Sequence, residues 1–321
     1  MKTKNIMYGL TAVIIAGSLT LTSCKKKQKE DTTDPDTEQG TISDNNLAES
    51  FMADVASIGS QGSENGALTT YKMSNPNGIG SVPMNDPDYL ISSACATLSF
   101  NVPAKTFTVD FGITPCLCND GRYRSGKLFF DYSMSTNTIT PIYYRTPGFK
   151  MTIASNNYVV DGYTVNISNK TITNTTPLSI PTGTNPGTNL TWSISANVNV
   201  VKPSNGGTVT WNCTRTKELL NTNDPICYGG QGVPINWTKA KIRLNGNANG
   251  TTAGGENYTA VITNLVRDFG ACKVGNIYPW ISGNLDFTPG ARYTRYINFG
   301  SGTCDRSATV TINGVTYSFN F

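Results

Sequence analysis

The chain has 321 residues, with 25 Lys and Arg against 21 Asp and Glu, a formal net charge of +4 and only 14% charged residues. It contains no histidine, which removes Ser-His-Asp and Cys-His catalysis, histidine general bases and the usual zinc hydrolase sites. An enzyme built from this chain would be left with carboxylate chemistry of the glycoside hydrolase kind, which needs a converging Asp/Glu pair.

Lys2 and Lys4 precede an apolar run from Leu10 to Leu21, too short to span a bilayer, where about 20 residues are needed. Residues 1–23 therefore read as a signal peptide. Leu21-Thr22-Ser23-Cys24 has the form of a lipobox, so Cys24 is the expected lipidation site; an ordinary cleavage site beside a chance cysteine is the alternative. A diacylglycerol and an N-acyl chain together give stable anchoring, so the expected partner at this end is a membrane. Residues 24–43 hold no apolar residue before Ile42 and are expected to form a disordered tether. Lys25, rather than an aspartate, follows the cysteine, and Lys29-Glu30-Asp31 resembles the acidic export signals of surface lipoproteins. The expected address is the outer membrane of a cell envelope, with its surface and periplasmic sides both open.

Leu47, Phe51, Val55 and Ile58 fall on one stripe of an amphipathic helix, capped by Ser43 or Asp44 and ended by Gly59 and Gly62. Residues 61–90 are rich in Gly, Asn and Pro, so 44–90 read as helix and loop. From Cys95 the pattern alternates, as in Lys105–Phe111, Lys127–Tyr132, Leu190–Val200 and Thr208–Cys213. Period two in runs rich in Thr, Val and aromatics predicts half-buried antiparallel strands. Ala308–Ile312 and Val315–Phe319 flank Asn313-Gly314, the strongest short hairpin signal. The expected fold is all-β over 91–321, a sandwich or stacked twisted sheets, with one N-terminal helix.

Val109-Asp110-Phe111-Gly112 followed three residues later by Cys116 matches Ile297-Asn298-Phe299-Gly300 followed three residues later by Cys304. Duplication into two related halves and convergent turn chemistry both explain it. An amide can replace a carboxylate as a turn acceptor but not as a general acid, so Asp110 reads as structural. The chain has 8 cysteines; lipidation of Cys24 leaves an odd number in a compartment where disulfides persist. If the repeat is one device used twice, each copy pairs with the cysteine before it, giving Cys95–Cys116 and Cys272–Cys304. Cys213 and Cys227 flank a turn holding Asn223-Asp224-Pro225 and are expected to pair locally. Cys118 is then the odd thiol, able to replace Cys116. Metal binding there would want two further cysteines, and no metal or cofactor is expected.

The runs Thr108 to Leu128 and Ile297 to Tyr317, with the Leu47–Val55 helix before a Cys-Ala-Thr strand, resemble an uncharacterised lipoprotein family of Bacteroidota. The resemblance covers most of residues 44–321 and implies a β-rich surface lipoprotein with no established activity. Cys118, Cys213 and Cys227 are additional to that family's pattern.

From Cys95 onward there are 18 Lys and Arg against 10 Asp and Glu. Such a domain favours anionic partners such as polysaccharides or lipid head groups, although solvated surface charge gives the same count. Nucleic acid is not an expected partner of an exported chain. Arg122-Tyr123-Arg124 and Arg292-Tyr293-Thr294-Arg295-Tyr296 interleave arginine with aromatics, a pattern that can stack on sugars or hold acidic groups; cross-strand Arg–Tyr pairs are the structural alternative. The favoured function is a non-catalytic envelope lipoprotein engaging an anionic glycan or an envelope protein. A carboxylate-dependent glycan hydrolase and an accessory subunit of an envelope assembly are the alternatives.

Overall fold

A computed structural model describes residues 35–74 and 95–320, apart from 102, 119–120, 137–143, 178–187, 229–234, 237–238 and 276–277. The expected signal peptide, Cys24, the start of the tether and residues 75–90 of the expected loop lie outside the described residues. The chain is all-β with one long N-terminal helix, as its alternating pattern requires. Helix α1 is Pro35–Ser74, followed by β1 (Thr97–Asn101), β2 (Thr106–Asp110), β3 (Cys116–Leu117), β4 (Tyr123–Asp131), β5 (Lys150–Val160) and β6 (Tyr163–Asn174). Then come β7 (Leu190–Val201), β8 (Thr208–Leu219), α2 (Pro225–Tyr228), β9 (Lys241–Thr251), β10 (Asn257–Asp268), β11 (Trp280–Pro289) and β12 (Arg295–Ser301). The chain closes on β13 (Ser307–Ile312) and β14 (Val315–Asn320).

These strands form one 14-stranded antiparallel meander in chain order, with β3 set aside as a short partner of β4. The short connections, as between β5 and β6 or β13 and β14, can join only antiparallel strands. The final turn is the predicted one, with Asn313 at φ 48° and Gly314 at φ 79°, the left-handed pair that matches strand twist.

Helix α1 lies across the strands on one face. Asn45 accepts from the Trp211 indole on β8, and Gly62 presses on Phe107 of β2. The seventeen residue steps from Asn45 to Gly62 rise about 26 Å at 1.5 Å each. The five strand spacings from β8 to β2 cover about 24 Å, so helix and sheet keep pace. Ala48, Phe51, Met52, Val55 and Ile58 are buried against this face; Phe51, Val55 and Ile58 belong to the stripe read from the sequence, and its fourth member, Leu47, packs there partly buried. Past the helix, Tyr144, Phe149, Leu190, Trp192, Leu219 and Tyr228 continue the same core. Trp192 donates its indole N–H to the Tyr144 carbonyl at 3.0 Å.

The helix boundaries correct the sequence expectation. Residues 35–43, expected in the tether, are helical, and Ser43 and Asp44 sit inside the helix rather than capping it. Asp44 instead accepts from the Ala253 N–H at 2.9 Å and pairs with Lys202. Gly59 and Gly62 do not end the helix either. A Cβ on Gly59 would come within 2.6 Å of the Met151 methyl, and one on Gly62 would overlap the Phe107 ring. At both places the helix lies too close to the sheet for a side chain.

The Phe107 ring is itself pinned, stacked on Phe130 with centroids 4.4 Å apart. Gly62→Ala should therefore cost stability: about 1–3 kcal/mol of overpacking, offset by about 1 kcal/mol of helix propensity. Gly40 has open space around its Cβ position, so Gly40→Ala should gain up to about 1 kcal/mol. Urea denaturation of the two variants compares these signs directly.

Both Phe-Gly turns use one device. The Gly112 N–H donates to Asp110 Oδ1 at 2.9 Å, and the Gly300 N–H donates to Asn298 Oδ1 at 2.8 Å. Each glycine sits at positive φ, 74° and 85°, which glycine adopts without a steric penalty. Each turn is followed by a disulfide to the preceding cysteine, Cys95–Cys116 and Cys272–Cys304. Cys213 and Cys227 do not pair, contrary to expectation: both are buried thiols. Cys213 lies in the middle of β8, directed into the core beside Ala196 and Ala248, and not at a hairpin end.

Candidate functional site

The arginines singled out in the sequence hold the molecule together rather than forming one open patch. Arg124 is fully buried and pairs with Asp54 of the helix at 2.7 Å. Arg122 pairs with Asp161 at 2.9 Å and lies over the Phe51 ring, its guanidinium carbon 4.9 Å from the centroid. Arg292 reaches Glu256, which also accepts from the helix residue Thr41. Arg295 is buried and donates to the Tyr293 carbonyl at 3.0 Å. Only the tyrosines face solvent, Tyr123 at 52%, Tyr293 at 64% and Tyr296 at 54% exposure. Arg124 and Arg295 are thus withdrawn from any ligand surface, because an inward-facing guanidinium is what each local ion pair or turn carbonyl requires.

A different set of cations gathers on the helix-covered face. Along β8 the inward residues are Val209, Trp211, Cys213, Arg215, Lys217 and Leu219. The apolar alternation continues through two basic residues without changing phase. On β6 a register shift between Ile167 and Asn169 turns Lys170 to the same face, two strands from Cys213 across Ala196. On β10 a shift between Ile262 and Leu265 sets Leu265 opposite Leu244, and Arg267 opposite Ile242. The intervening side chains at these levels are Ala196, Gly246, Ala248 and Ala260, which offer neither charge nor acceptor.

Lys170 is 2% exposed and Arg215 5% exposed. The carboxylate they meet is Glu49 of α1, which accepts from Arg215 Nε at 3.3 Å and is itself a third exposed. Arg215 Nη1 and Arg267 Nε are buried without a hydrogen-bond acceptor. Arg267 stacks 4.0 Å above the Trp280 ring, and Lys217 Nζ lies 5.8 Å from the Trp192 ring centroid. Burial pushes the Lys170 ammonium down to about 8, against the opposing attraction of Glu49. Burial and then the charge of Lys170 push Lys217 down to about 7, and burial pushes Arg267 down to about 10. Cys213 among them is pushed up to about 11 by burial, so at neutral pH it is a thiol and not a nucleophilic thiolate.

Three basic side chains, Lys170, Arg215 and Arg267, thus answer to Glu49 in a poorly hydrated place, with Lys217 beside Lys170. Buried charge is costly unless paired, and guanidinium donors match carboxylate and sulfate oxygens in shape. What the arrangement can do is accept an anionic group. Sequence reading passed over these residues, although Arg215 and Lys217 were legible: they keep the parity of Trp211 and Leu219. Lys170 and Arg267 were not, because each reaches the face only through a register shift.

The opposite face of β2, β4, β5 and β6 carries an open groove of about 500 Å³ lined by Thr108, Phe129, Asp131, Thr152, Ser168 and Asn169. Phe129 is 40% exposed there.

The carboxylates of the sheet are largely engaged in structure. Asp110 pairs with Lys127, and Glu218 holds Arg243 and Asn189. Asp131, Asp224 and Asp305 each accept from a backbone N–H two residues on.

No helix among the described residues is long and apolar enough to cross a membrane. No family model, curated protein or solved structure matches the chain.

Proposed function

We propose that this chain is a lipid-anchored cell-envelope protein that binds an anionic glycan without transforming it, using the cationic face beneath α1. The observation that carries the reading is Arg215: a buried guanidinium with a donor left unsatisfied, next to buried Lys170 and one partly exposed carboxylate. Uronate or sulfate groups would supply the missing acceptors. The engagement of the carboxylates in turns and ion pairs supports binding over hydrolysis, since a hydrolase needs two of them converging on a cleft.

Calorimetric titration of the full chain with a uronate oligosaccharide, a sulfated one and a neutral one of equal length tests this. The anionic ligands should bind at least tenfold more tightly than the neutral one, and Arg215→Met should remove that preference. Equal binding of all three would overturn the reading. The groove at Phe129 favours a second reading, in which sugar rings stack on the opposite face; there the neutral ligand would bind and Phe129→Ala would abolish it.

The anchor is part of the proposal and rests on the lipobox ending at Cys24. Cys24→Ala should release the protein from membranes or leave it unprocessed, as read by fractionation and lipid labelling. A variant that stays membrane-bound with wild-type mobility and labelling would contradict the anchor.

A further inference from the structure

We propose that Cys95, Cys116 and Cys118 form a thiol–disulfide exchange site that presents the Cys116 thiol to a disulfide-bearing partner. The inference stands apart from the anionic-glycan reading and uses none of its residues.

Cys95 is bonded to Cys116. The sulfur of Cys118, a thiol, lies 3.2 Å from that of Cys95. One cysteine therefore has two partners within reach, on the same short segment and two residues apart. Their surroundings differ. Cys95 and Cys118 are 6% and 3% exposed, whereas Cys116 is half-buried on β3 beside Leu117, which is 54% exposed, and close to Ile113, which is 98% exposed. Strand β3 is two residues long and, among the described residues, pairs with β4 alone, off the main path of the sheet. A change of partner there asks little of the fold.

The exchange balances within the protein. Cys118 gives its proton to water and attacks Cys95 Sγ; the Cys95–Cys116 bond breaks as Cys95–Cys118 forms, and Cys116 leaves as a thiolate. One disulfide and one thiol are present before and after, so no oxidant is consumed. The surface thiolate of Cys116 can then attack a partner disulfide, forming a mixed disulfide and releasing the partner's second sulfur as a thiolate. The buried state keeps its thiol shielded from solvent, and the exchanged state exposes one.

The full chain is incubated with oxidised glutathione and mapped by non-reducing peptide analysis. In the wild type, one glutathionyl group should appear on Cys116 together with a Cys95–Cys118 link, faster as pH rises and thiolate accumulates. In Cys118→Ser, which cannot exchange, the modification of Cys116 should slow at least tenfold. Cys116→Ser should form the Cys95–Cys118 link and keep its strand-type circular dichroism. Should that variant not fold, the comparison of wild type with Cys118→Ser decides alone. Wild-type Cys116 remaining unmodified, equal modification in Cys118→Ser, or a folded Cys116→Ser with Cys95 and Cys118 both reduced would each overturn the proposal.

Discussion

Asp54→Ala is expected to destabilise the fold by about 3–5 kcal/mol, the cost of leaving one member of a buried ion pair without its charge partner. Arg124 is fully buried on β4, and its Nη2 lies 2.7 Å from Asp54 Oδ1. Asp54 also lies 3.9 Å from Arg122 Nη1, so one helix carboxylate answers two sheet guanidiniums. Removing it asks Arg124 to stay charged in a place water does not reach, or to drag the helix away from β4. The Phe51 and Val55 contacts on either side would loosen in the second case. Asp54→Asn keeps an acceptor and loses the charge, and should fall between alanine and wild type. The exposed pair of Asp110 and Lys127 is the control, with side chains 32% and 48% exposed. Asp110→Asn should change stability little, because solvent screens that pair and asparagine already does the same turn-capping work at position 298. Equilibrium urea denaturation ranks the three variants. An Asp54→Ala midpoint equal to wild type would show that the helix is not held through this pair.

Lys170→Met is expected to stabilise the unliganded fold while weakening anion binding. The ammonium is buried and its pKa falls from 10.5 to about 8, a difference on the order of 3 kcal/mol between the two protonation states. Methionine has similar length and no charge to desolvate, and such replacements of buried ions commonly gain about 1–4 kcal/mol. The same penalty gives wild-type stability a pH dependence of definite sign. Because the folded-state pKa lies below the unfolded one, the unfolded chain binds more protons between the two values, and stability rises with pH through that window. From pH 6.5 to 8.5 the rise from Lys170 alone should be about 1 kcal/mol, with a further contribution from half-buried Lys217, whose pKa falls to about 7. The window stops there because Cys213 and Cys227, both pushed up to about 11, act in the opposite direction above the ordinary thiol pKa. Lys170→Met should flatten the profile. A wild-type midpoint that falls from pH 6.5 to 8.5 would contradict a buried, depressed lysine.

Much of the fold could be read from alternation, because period two reports directly which residues face a core. That logic placed β2, β4, β7, the first half of β8, the Asn313-Gly314 hairpin and the helical stripe at Phe51, Val55 and Ile58. It stopped where backbone geometry departs from the regular period. The bulge after Ile167 brings Lys170 inward, and no residue pattern on either side announces it. Gly59 and Gly62 carried the wrong meaning because glycine serves both helix ends and close approaches, and only the positions of Phe107, Phe130 and Met151 separate the two uses. The repeat of Phe-Gly turns was legible because it is local: an acceptor, a glycine at positive φ and a cysteine at fixed spacing. The proposed pairing of Cys213 with Cys227 failed for the opposite reason. It assumed a hairpin end at Cys213, whereas β8 continues to Leu219. The Arg–aromatic alternation of the arginine-tyrosine clusters was visible in the sequence, but the partner of Arg124 depends on where the helix crosses the sheet.

The central claim is that an anion enters against amines held partly deprotonated by burial, and proton uptake on binding tests it most directly. At pH 8, near the depressed Lys170 value of about 8 and above the Lys217 value of about 7, an incoming carboxylate or sulfate should raise both and draw protons from solution. Titrating the full chain with a uronate oligosaccharide in buffers of different ionisation enthalpy should show net uptake of about half a proton to one proton, weaker binding as pH rises, and loss of the uptake in Lys170→Met. Tight binding with no proton taken up, unchanged by Lys170→Met, would place the ligand elsewhere and contradict the account.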